Sequence, residues 1–143
     1  MRRYLVVANQ TLGGEHLAEK VRACLAAGPS RFHIVVPATQ PHDHAVWTEG
    51  EARAIAVRRL EQALKRFRDL GAEAEGEIGD ERPLEAIADA AREREFDEII
   101  LSTLPPGLSR WLRQDLPHRV ERTFDVQVTH VVVEPESSGA ERA

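Results

Sequence analysis

The sequence predicts an α/β domain built on a single doubly wound parallel sheet of five strands, with helices on both faces. Most of the predicted strands are continuous apolar runs rich in β-branched residues, which is typical of strands covered on both faces. Strand and helix patterns alternate along the chain, five strands with four helices, without an internal repeat or a linker. The length of 143 residues suits one domain.

The first half of the chain predicts two buried strands and two helices. Continuous apolar runs, YLVVA and FHIVVP, predict the strands. Apolar residues at intervals of three and four predict the helices, and a glycine ends each of them. In order, we predict a strand at 4–8, a helix from Glu15 to Gly28, a strand at 32–37, a loop at 38–48 and a helix whose apolar stripe runs from Ala52 to Phe67 before Gly71.

The second half predicts three strands, and the first of them differs from the others. The run AEAEGEI alternates small or apolar with acidic residues, which indicates a half-exposed edge strand. The two later runs, FDEIILS and VQVTHVVV, are largely apolar. In order, we predict a strand at 72–78, a helix from Pro83 to Ala91, a strand at 96–102, a short helical piece from Leu108 to Leu112, a helix from Asp115 to Thr123 and a last strand from Val126 to Val133.

Composition and charge exclude several classes of protein. Cys24 is the single cysteine, so a disulfide framework and a Cys-rich zinc site are excluded. The formal charge of −5 argues against a general nucleic-acid binder. No apolar run approaches the roughly 20 residues that cross a bilayer, and the opening residues turn polar too soon for a signal peptide. We therefore expect a cytoplasmic domain at 1–134 with no membrane contact and a disordered tail at 135–143.

Polar residues follow the predicted strands at the edge of the sheet where ligands bind. In a doubly wound sheet that edge lies beyond the carboxyl ends of the strands, where the winding direction reverses. Asn9 ends a buried strand there, and Ser102 and Thr103 either bind a ligand or bond loop backbone. The candidate crevice residues are Asn9, Thr11, Val36, Ser102, Thr103, Gly107 and Asp115.

Several segments resemble the universal stress protein family. The runs FDEIILST, GLSRWL, HRVERTF and VQVTHVVV resemble its C-terminal half, IGDERPLEAIADAARE its third strand and helix, and YLVVANQT its first strand. The resemblance implies a five-stranded α/β domain with strand order 3-2-1-4-5. It also implies a homodimer through the last strand, Val126 to Val133, and a small-ligand crevice that binds ATP in some members.

The loop after the fourth strand departs from the ATP-binding members of that family. Their loop has a glycine, two residues, a glycine, nine residues and Gly-Ser or Gly-Thr, whereas only Gly107 matches a glycine here. Pro105 and Pro106 lack the N–H groups that would cradle a phosphate. Asp115, near the place of the last Gly-Ser, would repel a phosphate by about 1 kcal/mol. Asn9 replaces an acid that helps to hold the nucleoside. The sequence therefore predicts weak or no ATP binding and no cofactor.

The sequence predicts a non-catalytic regulatory or small-ligand-binding module. Two other functions stay open. One is an ATP-binding stress protein of the ordinary family type. The other is an ATP-pyrophosphatase-like enzyme that uses the segment from Thr11 to Gly14, because a hydroxyl and two glycines after the first strand faintly resemble a pyrophosphate loop. No nucleophile, base and orienting group can be assembled, since no His or Lys is predicted beside the Ser and Thr residues.

Plain structural roles compete with functional ones at several positions. Asp115 is a candidate N-cap for the helix that starts at Leu116. Trp111 either stacks a ligand or packs as core. His42 and His44 could ligate a metal, but no third ligand is evident. The arginines of the long second helix are balanced by acidic residues, so we expect a solvated face.

Overall fold

Five parallel strands form one sheet in the order β3-β2-β1-β4-β5. The computed structural model describes residues 1–38 and 49–134, so the predicted loop with His42 and His44 and the predicted tail lie outside the described residues. The elements are β1 Arg2–Val7, α1 Glu15–Ala27, β2 Ser30–Pro37, α2 Glu49–Asp69, β3 Glu73–Gly79, α3 Pro83–Glu93, β4 Glu98–Thr103, α4 Arg110–Arg113, α5 Leu116–Thr123 and β5 Gln127–Val132. The predicted fold class is confirmed.

Two apolar clusters cover the two faces of the sheet, as continuous apolar strands require. On one face, strand residues such as Val6 and Ile34 pack with α1 and α2, and Cys24 is buried among them. On the other face, Leu5 and Leu101 pack with α3 and α5. Trp111 belongs to this second cluster, so its interpretation as a core residue is confirmed.

Strand β1 lies at the centre of the sheet, where the winding direction reverses. It pairs with β2 on one side and with β4 on the other. Val7, its last residue, lies between Val35 and Leu101. The loops that follow β1 and β4 therefore leave the sheet side by side at its carboxyl edge, which is where such sheets bind ligands.

The amino edge of the sheet holds a buried carboxylate, that of Glu98. Its side chain is 4% exposed, and its oxygens lie 3.1 Å from Arg2 Nη2 and 3.4 Å from Lys20 Nζ. The Thr129 hydroxyl donates a hydrogen bond to it. Burial raises the pKa of Glu98, but the hydrogen bonds from Thr129 and Arg2 and the charge of Lys20 outweigh burial, so the pKa is lower than usual.

One local feature differs from prediction and two others agree with it. The short helix α4 begins at Arg110 and not at Leu108, because the Ser109 hydroxyl accepts the N–H of Leu112 and caps the helix there. Strand β3 is an edge strand with one neighbour, as its acidic alternation predicts. No helix in 1–38 or 49–134 is both long and apolar enough to span a membrane.

Candidate functional site

Asn9 follows β1 at the carboxyl edge, and both ends of its side-chain amide make a hydrogen bond within the chain. The residue is 8% exposed. Its Nδ2 donates to the Pro37 carbonyl at 2.7 Å, which joins the end of β1 to the end of β2. Its Oδ1 accepts a hydrogen bond from Arg59 Nη1 at 2.5 Å. Asn9 therefore fixes this edge and orients Arg59 there.

Thr11 and Ser102 meet across the gap between the β1 and β4 ends. Their hydroxyl oxygens lie 2.7 Å apart, and the two residues are 4% and 1% exposed. A buried hydroxyl that lost this partner would cost about 1–3 kcal/mol. The pair thus lies at the floor of the crevice, and the hydroxyl that accepts in this bond keeps its own proton for a second hydrogen bond.

Thr103 has a histidine beside it, contrary to the sequence-based expectation. Its hydroxyl donates to the Leu104 carbonyl at 2.9 Å and lies 2.8 Å from His130 Nε2. A threonine hydroxyl has one proton, so the His130 nitrogen must be the donor in the second bond. Burial lowers the pKa of His130. A neutral imidazole whose Nε2 carries hydrogen is not a base for Thr103, and the pair is no catalytic dyad in this arrangement.

Sequence reasoning missed His130 because strand register brings it to the site. Parallel pairing places it opposite Leu101, two residues before Thr103. Only the apolar run of β5 was visible in the sequence, and a run does not give its register against β4.

The other predicted crevice residues do not line the site with their side chains. Val36 is fully buried in the core cluster beneath α1 and α2. Gly107 lies in an exposed turn with φ of 92°, a left-handed conformation that favours glycine. Asp115 is exposed, with φ of 57°.

The predicted N-cap bond of Asp115 is wrong, although the residue does precede α5. Its carboxylate accepts no N–H of the helix and instead lies 2.8 Å from His118 Nδ1. An N-cap residue normally has extended backbone, whereas Asp115 is left-handed, so its side chain is not turned towards the first helical N–H groups. The expected repulsion of a phosphate by Asp115 thus has no geometric basis inside the crevice.

Backbone amides of the loop from Pro105 to Ser109 form hydrogen bonds within the loop. The N–H groups of Leu108 and Ser109 both donate to the Pro105 carbonyl, at 3.0 and 3.1 Å. Neither proline has an N–H to offer. The segment is thus short of free donors at the place where the ATP-binding members of the resembled family would hold phosphate.

Of the two glycines after β1, Gly14 has a packing role and Gly13 has none. A Cβ on Gly14 would lie 2.1 Å from Val133 Cγ1, whereas a Cβ on Gly13 would meet nothing within 4 Å. The N–H groups of Leu12 and Gly14 donate to the carbonyls of Asn9 and Thr11. The loop is a closed turn that lets α1 start close to the end of β5.

Two concave spaces open beside the ends of β1 and β4, and they share Asn9, Gln10, Thr11 and Leu104. One, the apolar slot, has a volume of about 60 Å³ and lies against Leu108 and Trp111. The other, the arginine cleft, has a volume of about 430 Å³. It is lined by Asn9, Gln10, Thr11, Leu12, Gly13, Gly14, Arg59, Gln62, Ala63, Arg66, Leu104, Val133 and Glu134. Small-molecule sites usually measure about 300–1,000 Å³, so of these two spaces the arginine cleft has the size of one.

Arg59 is the charged group at the centre of the arginine cleft. It is half-buried, and burial, followed by the nearby charge of Arg58, lowers its pKa. Within 1–38 and 49–134 the hydrogen-bond partner of its guanidinium is the neutral Asn9, and no carboxylate pairs with it. By contrast, Arg66 at the rim pairs with Glu15 at 2.8 Å.

The expectation of a solvated arginine face on α2 is therefore wrong for Arg59. A signal in the sequence could have found it. Arg59 lies three residues after Ala56 and four before Ala63, both buried, so it shares their face of the helix. Acidic residues elsewhere on α2 balance the charge in number but not in position.

The site offers hydrogen bonds and the positive charge of the half-buried Arg59. In the described residues no cluster of three or more His, Cys, Asp or Glu side chains could hold a metal ion. The hydroxyls of Thr11, Ser102 and Thr103 are engaged with one another or with neighbours. Such an arrangement is suited to binding a small polar or charged molecule.

A doubly wound sheet with a ligand-sized cleft at its point of reversal defines a class of α/β ligand-binding domain. No family model matches the sequence, and no curated protein matches it. Solved structures do. A universal stress protein from Archaeoglobus fulgidus is 16% identical with a TM-score of 0.60, covering 92% of this chain and 98% of that one.

Other universal stress proteins have similar structures. One from Burkholderia pseudomallei is 17% identical with a TM-score of 0.54, covering 90% of this chain and 94% of that one. One in complex with cAMP is 17% identical with a TM-score of 0.57, covering 92% and 97%. The Archaeoglobus protein was also solved in complex with dAMP. The chain therefore has the fold of the universal stress proteins.

Proposed function

We propose that this protein is a universal stress protein-type regulatory module that binds a small ligand in the arginine cleft and does not catalyse a reaction. The observation that carries the proposal is the position of that cleft, about 430 Å³ in volume, beside the ends of β1 and β4. Universal stress proteins of the same fold have been solved with dAMP and with cAMP. Mononucleotides are therefore the first ligands to test.

The proposal includes weak or no binding of ATP by the loop after β4. Its free N–H groups are few, because two prolines have none and Leu108 and Ser109 donate to Pro105. The apolar slot beside it, at about 60 Å³, has room for roughly four water molecules and not for a nucleobase. A triphosphate held there would need the loop to open.

A thermal-shift screen tests the proposal directly, because a ligand of the native state raises the unfolding midpoint. The screen takes dAMP, cAMP, AMP, adenosine, ATP with Mg²⁺ and common metabolites. Gln62 is exposed and lines the cleft, so Gln62→Trp fills the cleft without disturbing the core. Glu61→Trp, one residue away and outside the cleft, is the control.

We expect a mononucleotide or metabolite to raise the midpoint of the wild type and of Glu61→Trp, and to leave Gln62→Trp unchanged. A ligand that stabilises all three proteins equally would place binding elsewhere. Release of AMP and pyrophosphate from labelled ATP, lost on substitution of Thr11, would show that the protein is an enzyme and would overturn the proposal.

The proposal also includes a cytoplasmic location and a homodimer through the last strand. Strand β5 is the outer strand at its end of the sheet, and Val132 on it is 37% exposed. An uncovered strand edge favours pairing with a second copy. Sedimentation equilibrium should give a dimer for the wild type and a monomer for Val132→Lys, whereas a wild-type monomer would remove the dimer from the proposal.

A further inference from the structure

Among residues 1–38 and 49–134, Arg59 places a half-buried positive charge in the cleft with no carboxylate paired to its guanidinium. Placing a charge in a poorly solvated position is costly unless a partner compensates it. Across 1–38 and 49–134, the partner of its guanidinium is the amide oxygen of Asn9. Some other arginines have carboxylate partners, as Arg31 does with Glu73 and Arg66 with Glu15.

The hydrogen bond to Asn9 holds the Arg59 guanidinium at the sheet edge. A guanidinium has five N–H donors in a planar fork, and Asn9 takes one of them at 2.5 Å. The remaining donors suit the two oxygens of a carboxylate or phosphate group. Asn9 is itself fixed by its bond to the Pro37 carbonyl, so the fork is oriented before a ligand arrives.

The rest of the cleft supplies a place for an uncharged part of the ligand. Leu12, Leu104 and Val133 line its apolar side, and Gln62 adds a polar side chain at the rim. Two acidic residues lie near it. Glu15 is paired with Arg22 and Arg66, and Glu134 is exposed at the rim. The deep charge of the cleft is thus positive.

We propose that Arg59 binds the anionic group, a phosphate or a carboxylate, of the small ligand that occupies the arginine cleft. The anion then lies on the α2 side of the sheet edge, beside Asn9, and not in the loop after β4. This inference rests on the proposed ligand-binding function and adds the chemical class of the ligand.

Nuclear magnetic resonance of the full chain tests the inference with inorganic phosphate and malonate as probes. Arg59→Gln removes the charge, and Arg58→Gln makes the same change at the exposed neighbouring residue. We expect both probes, or one of them, to shift the Arg59 Nε–H resonance saturably and to shift that of Arg58 little. Loss of Arg59 should weaken binding about tenfold or more, while loss of Arg58 should change it less than twofold to threefold.

The probe that responds identifies the anion. Dependence on Arg59 for phosphate alone indicates a phosphate ligand, and dependence for malonate alone indicates a carboxylate ligand. AMP should then bind the wild type more tightly than adenosine if phosphate is the anion, and Arg59→Gln should remove that difference. Arg59→Lys, which keeps the charge without the fork, should retain part of the affinity and guards against a folding defect in Arg59→Gln.

Two failures are distinguishable. If neutral ligands such as adenosine shift the amides of Gln10, Gly13 and Leu104 while neither anion perturbs Arg59, the cleft binds ligands and the inference is overturned. If Arg58→Gln weakens anion binding as much as Arg59→Gln, the effect is general charge and the inference is again overturned. If no neutral or anionic compound perturbs either the cleft or Arg59, both the inference about Arg59 and the proposed ligand-binding function fail.

Discussion

Replacing Gly14 with alanine should destabilise the protein mainly through a clash with Val133, with a lesser contact at 3.2 Å to the Thr11 carbonyl oxygen. The new Cβ would lie 2.1 Å from Val133 Cγ1 and 3.3 Å from Val133 Cβ, whereas ordinary contacts begin near 3.4 Å. Val133 is 4% exposed, so it has little freedom to move away. Gly14 has φ of −75° and ψ of 148°, which alanine adopts without strain. The clash is therefore the main cost.

Overpacking of this kind costs about 1–3 kcal/mol, so we expect a loss near 2 kcal/mol in the free energy of unfolding. For a chain of this length that loss lowers the melting midpoint by about 8 °C. Urea unfolding followed by circular dichroism measures it. Gly13→Ala is the matched control, because its Cβ would meet nothing within 4 Å.

A double-mutant cycle with Val133→Ala isolates the contact. Shortening Val133 removes the atom that the new Cβ strikes, so the double variant should be less destabilised than the sum of the single variants by about 1 kcal/mol or more. Additive effects within about 0.5 kcal/mol, or equal damage from Gly13→Ala, would refute the packing role assigned to Gly14.

The other predictions concern charge and hydrogen bonding. Glu98→Gln should lower the free energy of unfolding by about 1–3 kcal/mol near neutral pH, because Arg2 and Lys20 lose a buried anion; urea unfolding checks it. Since the folded-state pKa of Glu98 is depressed, its contribution is present above its ordinary pKa and lost as pH falls through the folded value, so wild type and variant should converge in acid. His130 should titrate below 6.5 by nuclear magnetic resonance, and protonating it should destabilise the fold as pH drops; a midpoint above 6.5 would contradict its burial. Ser102→Ala should cost about 1–3 kcal/mol by leaving the buried Thr11 hydroxyl without its partner, and wild-type stability would argue against that bond.

The alternation of apolar strand runs with helix patterns was enough to predict the fold class, because strands buried on both faces must be apolar throughout. The strand order came from the resemblance. The same reasoning placed Asn9, Thr11, Ser102 and Thr103 at one edge, and the structure brings them together there. It could not give their hydrogen bonds, since those depend on register. The pairing of Thr11 with Ser102 and the approach of His130 to Thr103 join segments about 90 and 27 residues apart.

Two predictions failed for local reasons. Asp115 has the residue type and position of an N-cap, but its left-handed backbone sends the carboxylate to His118 instead. Arg59 was assigned to a solvated face because charges were counted along α2, whereas the spacing from Ala56 and Ala63 places it on the buried stripe. Position around the helix, and not the balance of charge, decided its environment.

Hydrogen bonds within the chain occupy the polar groups at the ends of β1 and β4, so we expect ligands to bind on the α2 side beside Arg59. Titration of the full chain with ATP and Mg²⁺, followed at the amide resonances of Gly107, Leu108 and Ser109, tests it most directly. We expect these three amides to stay unperturbed at millimolar nucleotide. Saturable shifts at all three amides, with Arg59 unaffected, would show that the loop after β4 opens to hold the phosphates. That result would contradict ligand binding on the α2 side beside Arg59.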